Sequence, residues 1–196
     1  MKIIEKIRRY YENNNQKYGK GEARNLWAEP YRQQVRFEKI INLVDFSGKS
    51  ICDVGCGYGD FYVFLNKSGI PFLKYTGIEL LEEHCQVARE RLPNTCEIIC
   101  ADFLSKDFGH FDILIASGVF NFYEVGWLEF TTSIINKMWQ VSNDSIIFNI
   151  RSSYGDIKPA WIKPSFWTSY AEDKTKKFSL HHDYLTNDFT IIMNKK

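Results

Sequence analysis

The sequence predicts an α/β fold, a mostly parallel sheet with helices on both faces and a reversed final strand. Three observations carry that expectation. Short apolar runs recur at residues 50–55, 72–80, 95–103, 111–117 and 144–150, with helix-length segments between most of them, the rhythm of right-handed crossovers in a parallel sheet. Glycines at 55, 57 and 59 in CDVGCGYGDF sit where the first strand turns into a helix. The tail KKFSLHHDYLTNDFTIIMN holds two strand candidates, 176–181 and 188–194, too close together for a crossover, so they pair antiparallel.

Taken in order, residues 3–12 have helical spacing through Ile3, Ile4, Ile7 and Tyr10 or Tyr11, and the polar run at 13–25 reads as a flexible connection. A second helix runs from Pro30 to Leu43, with Val35, Phe37, Ile40, Ile41 and Val44 as its buried stripe and Ser47-Gly48 as its stop. Strand SICDVG (50–55) is followed by a helix from about Gly59 that turns Phe61, Phe64 and Leu65 inward and breaks at Gly69–Pro71. FLKYTGIEL (72–80), LEEHCQVARERL (81–92) and TCEIICADF (95–103) read as strand, helix and strand. FDILIAS (111–117) is the fourth strand, 124–140 a helix through Val125, Leu128, Ile134, Ile135 and Met138, and DSIIFNI (144–150) the fifth strand. The whole chain, 1–196, is expected to form one domain, with residues 1–45 as a helical cap.

Composition narrows the function classes. Hydrophobic residues make up 44% of the chain and charged ones 25%, and the formal charge is only +1, so no global field draws it to nucleic acid or to acidic membranes. The N-terminus lacks a signal-type apolar stretch and no segment approaches the length of a membrane span, which makes a soluble, cytoplasmic protein the expectation. The five cysteines, Cys52, Cys56, Cys85, Cys96 and Cys100, lack zinc-knuckle spacing and read as reduced core thiols; no metal is expected.

A strand that ends in bare backbone before a helix is a place for a ligand. Dinucleotide binding wants G-x-G-x-x-G, whereas the third glycine here comes one position too early. Asp53, two positions before the first glycine, would repel a pyrophosphate and attract a cation. An NAD-dependent oxidoreductase is therefore disfavoured.

DVGCGYGDF resembles the glycine-rich motif of the class I S-adenosylmethionine-dependent methyltransferases, an acidic residue followed by G-x-G-x-G. The likeness continues through GIEL, ADF and FDILIASGVFN and covers about residues 35–196. It implies a three-layer Rossmann-like sheet of strand order 3-2-1-4-5-7-6. It also implies S-adenosyl-L-methionine as donor and S-adenosyl-L-homocysteine as product. The donor's methionine tail would lie beside Asp53, Gly55, Gly57, Asp60 and Phe61, with Cys56 as filling between glycines. Glu79 would hold the ribose hydroxyls, and Leu80, Asp102 and Phe103 would surround the adenine. Ser117 and Gly118 would lie beneath the methionine, and Trp27 and Arg36 of the N-terminal region would close over the donor.

A sulfonium makes its methyl carbon electrophilic, so a protein need only align a nucleophile with the S–CH₃ bond and exclude water. The expectation is in-line transfer to an O, N or C nucleophile of a small molecule. Ser117-Gly118-Val119-Phe120 stands where enzymes that methylate bases or glutamine carry an N-P-P-Y-like tetrapeptide, where cytosine C-methylating enzymes carry Pro-Cys, and where catechol-type enzymes carry a metal-binding aspartate. The topology brings HHDYLTND to the donor edge, which nominates His181, His182 and Tyr184 as catalytic, with Asp183 beside them. Asn121, Phe122 and Tyr123, Arg151 to Tyr154, and the aromatic segment with Trp161, Phe166 and Trp167 are candidates for the acceptor rim. His84 and His110 read as structural. Protein side-chain methylation and a non-catalytic interaction subunit are the alternatives; oligomeric state is not legible, a homodimer being one option.

Overall fold

The computed structural model describes residues 3–18, 30–152 and 163–195. Seven strands form one sheet in the order β3-β2-β1-β4-β5-β7-β6: β1 Ser50–Val54, β2 Lys74–Glu79, β3 Glu97–Cys100, β4 Phe111–Ala116, β5 Ser142–Arg151, β6 Phe178–His181 and β7 Asp188–Asn194. The first five pair in parallel, and β7 runs antiparallel to both β5 and β6. The expected order and the reversed last strand are both present.

Among the described residues, six α-helices flank the sheet: α1 Ile3–Tyr18, α2 Pro30–Leu43, α3 Asp60–Lys67, α4 Glu82–Arg91, α5 Trp127–Val141 and α6 Pro164–Glu172. The central strands are apolar on both faces because both are covered. In β4, Leu114 and Ala116 join the cluster that contains Trp127, Ile135 and Trp167 of α5 and α6. Ile113 and Ile115 point the other way, toward Phe37 and Ile40 of α2 and Phe61 and Leu65 of α3. That alternation, period two along the strand, leaves the strand ends as the place where polar groups reach a ligand.

Several boundaries differ from the sequence reading. Helix α1 continues to Tyr18, because NNNQKY contains no Gly or Pro and the first breaker is Gly19. Strand β3 stops at Cys100, so Asp102 and Phe103 lie in the turn after it. Val125 is 84% exposed and precedes α5, which begins at Trp127 after Gly126 in the left-handed region. The unexpected element is α6: Pro164 opens it and Trp167 and Ala171, four apart, are both fully buried. Trp167 packs edge-on against Trp127 and Phe148, so this part of the aromatic segment is core. Trp161 and Tyr154 lie outside the described residues.

Candidate functional site

The carboxyl ends of β1 to β5 open into one cavity of about 480 Å³. Its wall includes Arg36, Asp53, Gly55, Cys56, Gly57, Asp60, Phe61, Glu79, Leu80, Asp102, Phe103, Ser117 and Gly118. Every residue nominated for the donor is thus on a single surface except Trp27, which lies outside the described residues. Helix α1 contributes Ile4, Ile7, Tyr10 and Tyr11 to the outer wall.

The glycines are bare for different reasons. A Cβ on Gly55 would stand 2.6 Å from Val119 Cγ2, and one on Gly59 2.6 Å from Leu92 Cδ1, so these two serve close packing of the protein on itself. At Gly57, with φ +56°, an added Cβ meets no protein atom within 4 Å, so its face is open to the cavity. Residues 58–60 fasten the loop to α4: the Tyr58 ring lies 4.5 Å from that of His84, and Arg91 bonds both the Tyr58 carbonyl and the Asp60 carboxylate. Gly57→Ala is expected to cost about 1–2 kcal/mol of stability through its left-handed backbone. It should also weaken S-adenosylhomocysteine binding at least about tenfold, read by calorimetric titration.

Glu79 is buried at the end of β2, and backbone amides hold its carboxylate. Gly57 N–H donates to Oε2 at 2.9 Å, and Leu80 and Leu81 N–H donate to Oε1 at 2.9 and 3.0 Å. Three amides fix the group and take three of its roughly four lone-pair directions, leaving Oε2 one for a ligand hydroxyl. His84 Nδ1 lies 3.8 Å away from Oε1, and the rings of Tyr11 and Tyr58 lie edge-on and tilted against the imidazole. His84 is therefore on the cavity wall. At the end of β3, Asp102 Oδ1 accepts from Leu104 N–H at 2.9 Å. Phe103 stacks on Phe108 with Lys137 above both rings, which fixes that end of the wall.

Asp53 is 3% exposed and accepts a 2.6 Å bond from the Tyr75 hydroxyl. Burial pushes its carboxyl up to about 7, against the opposing effect of the Tyr75 bond. Between about pH 4 and 7 the native state holds a proton that the unfolded chain has released, so stability falls as pH rises through that window. At about 1.4 kcal/mol per pH unit, the loss from this group reaches at most roughly 4 kcal/mol. Asp53→Asn should flatten the pH dependence of thermal unfolding between pH 5 and 8 and raise the melting temperature at the alkaline end; an unchanged slope would remove Asp53 as its source.

Beneath the β4 end, the fully buried Asn149 of β5 bonds the loop twice. Its Nδ2 donates to Ser117 Oγ at 3.0 Å, and its Oδ1 accepts from Gly118 N–H at 2.9 Å. Arg36 is 2% exposed and forms an ion pair with Asp188 of β7, Nε to Oδ2 2.9 Å; its guanidinium reaches the cavity from a fixed position. Asn149, Tyr75 and Asp188 are polar residues inside apolar strands, the one signal in the sequence that marked them.

The nominated catalytic residues are elsewhere. His181 faces a second hollow with Ser179, Lys49 and Asp144, bonds Ser179 Oγ at 3.0 Å, and has its pKa lowered by burial and then by Lys39. His182 is exposed, edge-on to Phe189. The Tyr184 hydroxyl donates to Asp188 Oδ1 at 2.7 Å and lies 2.7 Å from Thr190 Oγ1, and burial with Asp188 beside it raises its pKa. None of the three is on the donor cavity wall, which corrects their assignment as catalytic groups: the β6–β7 turn reaches the right edge, but strand parity aims His181 at the α2 face and the ion pair draws Tyr184 inward. Asp183 bonds Lys39.

Residues 51–140 match the family model described as methyltransferase domain. The fold superposes on magnesium protoporphyrin IX methyltransferase from Synechocystis PCC 6803, solved with bound S-adenosylmethionine, at TM-score 0.72 and 15% identity, covering 100% of this chain and 98% of that one. It also superposes on the pyocyanin biosynthetic protein PhzM (0.68, 15%, 95% of this chain and 62% of that one). For human N-acetylserotonin methyltransferase with S-adenosylmethionine the values are 0.64, 15%, 89% and 56%. No curated protein matches the sequence significantly. Among the described residues no group of His, Cys, Asp and Glu is arranged to hold a metal, and no helix is long and apolar enough to cross a membrane. The open face of Gly57, the amide-held Glu79 and the buried Asp53 line one cavity, residues 51–140 are similar to a methyltransferase domain, and the chain shares the fold of a methyltransferase solved with S-adenosylmethionine.

Proposed function

We propose that the protein transfers a methyl group from S-adenosylmethionine to a nucleophile of a small molecule held in the same cavity. The observation that carries the reading is continuity: one cavity runs from the glycine loop and Glu79 to Ser117, Asn121, Phe122 and Arg151 beyond β4, under a wall supplied by α1. Residues 1–45 are read as a cap, with α1 tied to the loop after β4 by Lys6–Glu124 at 3.1 Å and by the Tyr10–Phe122 ring contact.

When bound, the donor supplies an electrophilic methyl on a sulfonium. The chain's part is alignment and exclusion of water. Glu79 and Asp102 would hold the adenosine end and Asp53 the ammonium, and the Asn149-braced Ser117–Gly118 loop forms the cavity floor between them and the β4 end. Ile4, Ile7, Tyr10, Tyr11 and Phe122 keep the space above it apolar. The named structural neighbours that act on magnesium protoporphyrin IX and N-acetylserotonin support a small-molecule acceptor.

Incubation with methyl-labelled S-adenosylmethionine and a cell extract separated into metabolites and proteins tests the reading. Label is expected in the metabolite fraction. Label confined to protein would favour side-chain methylation, and none in either, with donor binding intact, a non-catalytic subunit.

A further inference from the structure

We propose that Asn149 fixes the Ser117 hydroxyl as a hydrogen-bond donor toward the acceptor, so that the cavity selects a flat molecule presenting a lone pair there: a ring nitrogen, a carbonyl or a phenolate oxygen. The proposal rests on the methyl-transfer reading and names the substrate class for that site.

A serine hydroxyl can donate or accept, and its proton ordinarily rotates to suit. At Ser117 that freedom is removed. Asn149 Oδ1 accepts from the Gly118 N–H at 2.9 Å, a bond that only the oxygen end of the amide can make. The nitrogen end is therefore turned to Ser117, and Nδ2 donates to Oγ at 3.0 Å. Because Nδ2 has only hydrogens to offer, Oγ accepts and the Ser117 proton points elsewhere. No group among the described residues receives that proton, and Ser117 is half-buried on the cavity wall. Asn149 itself is 0% exposed, so no solvent competes for the amide that sets this polarity.

The same bond decides which half of the cavity the hydroxyl serves. Strand β4 separates β5 from β1, and at about 4.8 Å per strand the β5 end stands roughly 10 Å across the sheet from the glycine loop. Ser117 is held by β5, on the side away from that loop. The other polar side chains of the β4 loop and the β5 end do not supply the opposite polarity: the Arg151 guanidinium only donates, and Asn121 Oδ1 is shielded from solvent. Around them the wall is apolar. Tyr10 and Phe122 meet at 4.9 Å between ring centroids, and Ile4, Ile7 and Tyr11 stand beside them. Aromatic faces and aliphatic side chains select a flat hydrophobic body, and the oriented hydroxyl selects the edge it presents.

The test uses protein saturated with S-adenosylhomocysteine, each variant at its own measured affinity, titrated at neutral pH and read by ligand-observed NMR. The probes are quinoline, whose ring nitrogen offers only a lone pair, and indole, whose ring nitrogen offers only a proton. Quinoline is expected to bind at least about fivefold more tightly than indole. Ser117→Ala should abolish that preference and Ser117→Thr, which keeps the hydroxyl, should retain it. Asn149→Leu should lose most of it, because the hydroxyl is then free to turn. Equal binding of the two probes, absence of binding by either, a preference that survives in Ser117→Ala, or one undiminished in Asn149→Leu overturns the proposal. Failure of the parent chain to bind S-adenosylhomocysteine would instead remove the methyl-transfer reading beneath it.

Discussion

Glu79→Ala is expected to weaken S-adenosylhomocysteine binding by about 100-fold or more, with the protein still folded. The carboxylate is held by Gly57, Leu80 and Leu81 amides and is the buried anion nearest the open face of the glycine loop. A hydrogen bond to a charged group contributes about 1.5–3 kcal/mol, so loss of the ribose contact amounts to at most about 3 kcal/mol, close to the ~2.7 kcal/mol that corresponds to 100-fold. Removal of the side chain also frees the Gly57 amide and loosens the loop. Glu79→Gln should be intermediate, because its amide nitrogen must face either the Gly57 amide or the Leu80 and Leu81 pair. Titration by calorimetry reads both variants; unaltered affinity in Glu79→Ala would place the ribose elsewhere.

Asp188→Ala should produce the largest loss of stability among single polar substitutions. Arg36 and Asp188 are 2% and 1% exposed, and removal of one partner leaves the other charge buried, a cost of about 3–5 kcal/mol. For a chain of this size each kcal/mol lowers the melting temperature by about 2–4 °C, so a fall of roughly 10 °C is expected. Tyr184→Phe removes only one hydroxyl from the same group and should cost about 1–2 kcal/mol. Equal melting temperatures for Asp188→Ala and the parent chain would show that the pair contributes nothing to the native state.

The parts legible in the sequence were those set by local chemistry. Positive φ at Gly55, Gly57 and Gly59 and acidic residues at strand ends are written into a few consecutive positions, and they led to the cavity wall residue by residue. The strand rhythm was legible for the same reason, since both faces of β4 and β5 are buried and read as continuous apolar runs. Contacts between distant segments were not. Arg36 and Asp188 are 152 positions apart, and nothing near either one announces the other. Asn149 and Tyr75 are single polar groups in apolar strands whose partners become evident only once β1, β2, β4 and β5 are side by side. His181 and Tyr184 illustrate a further limit: topology fixes which edge a turn occupies, but the direction of each side chain follows from strand parity and from a buried ion pair. Helix α6 escaped notice because nine residues rich in aromatics, PSFWTSYAE, carry too little periodicity to stand apart from a loop.

The crystal structure of the protein with S-adenosylhomocysteine tests the central claim most directly. The predicted result is an adenosine between Glu79 and Asp102, its ribose on the Glu79 carboxylate, the homocysteine over the open face of Gly57, and the sulfur directed past Ser117 toward Phe122 and Arg151. A ligand seated instead in the hollow beside His181, or an adenosine whose ribose lies away from Glu79, would contradict the account.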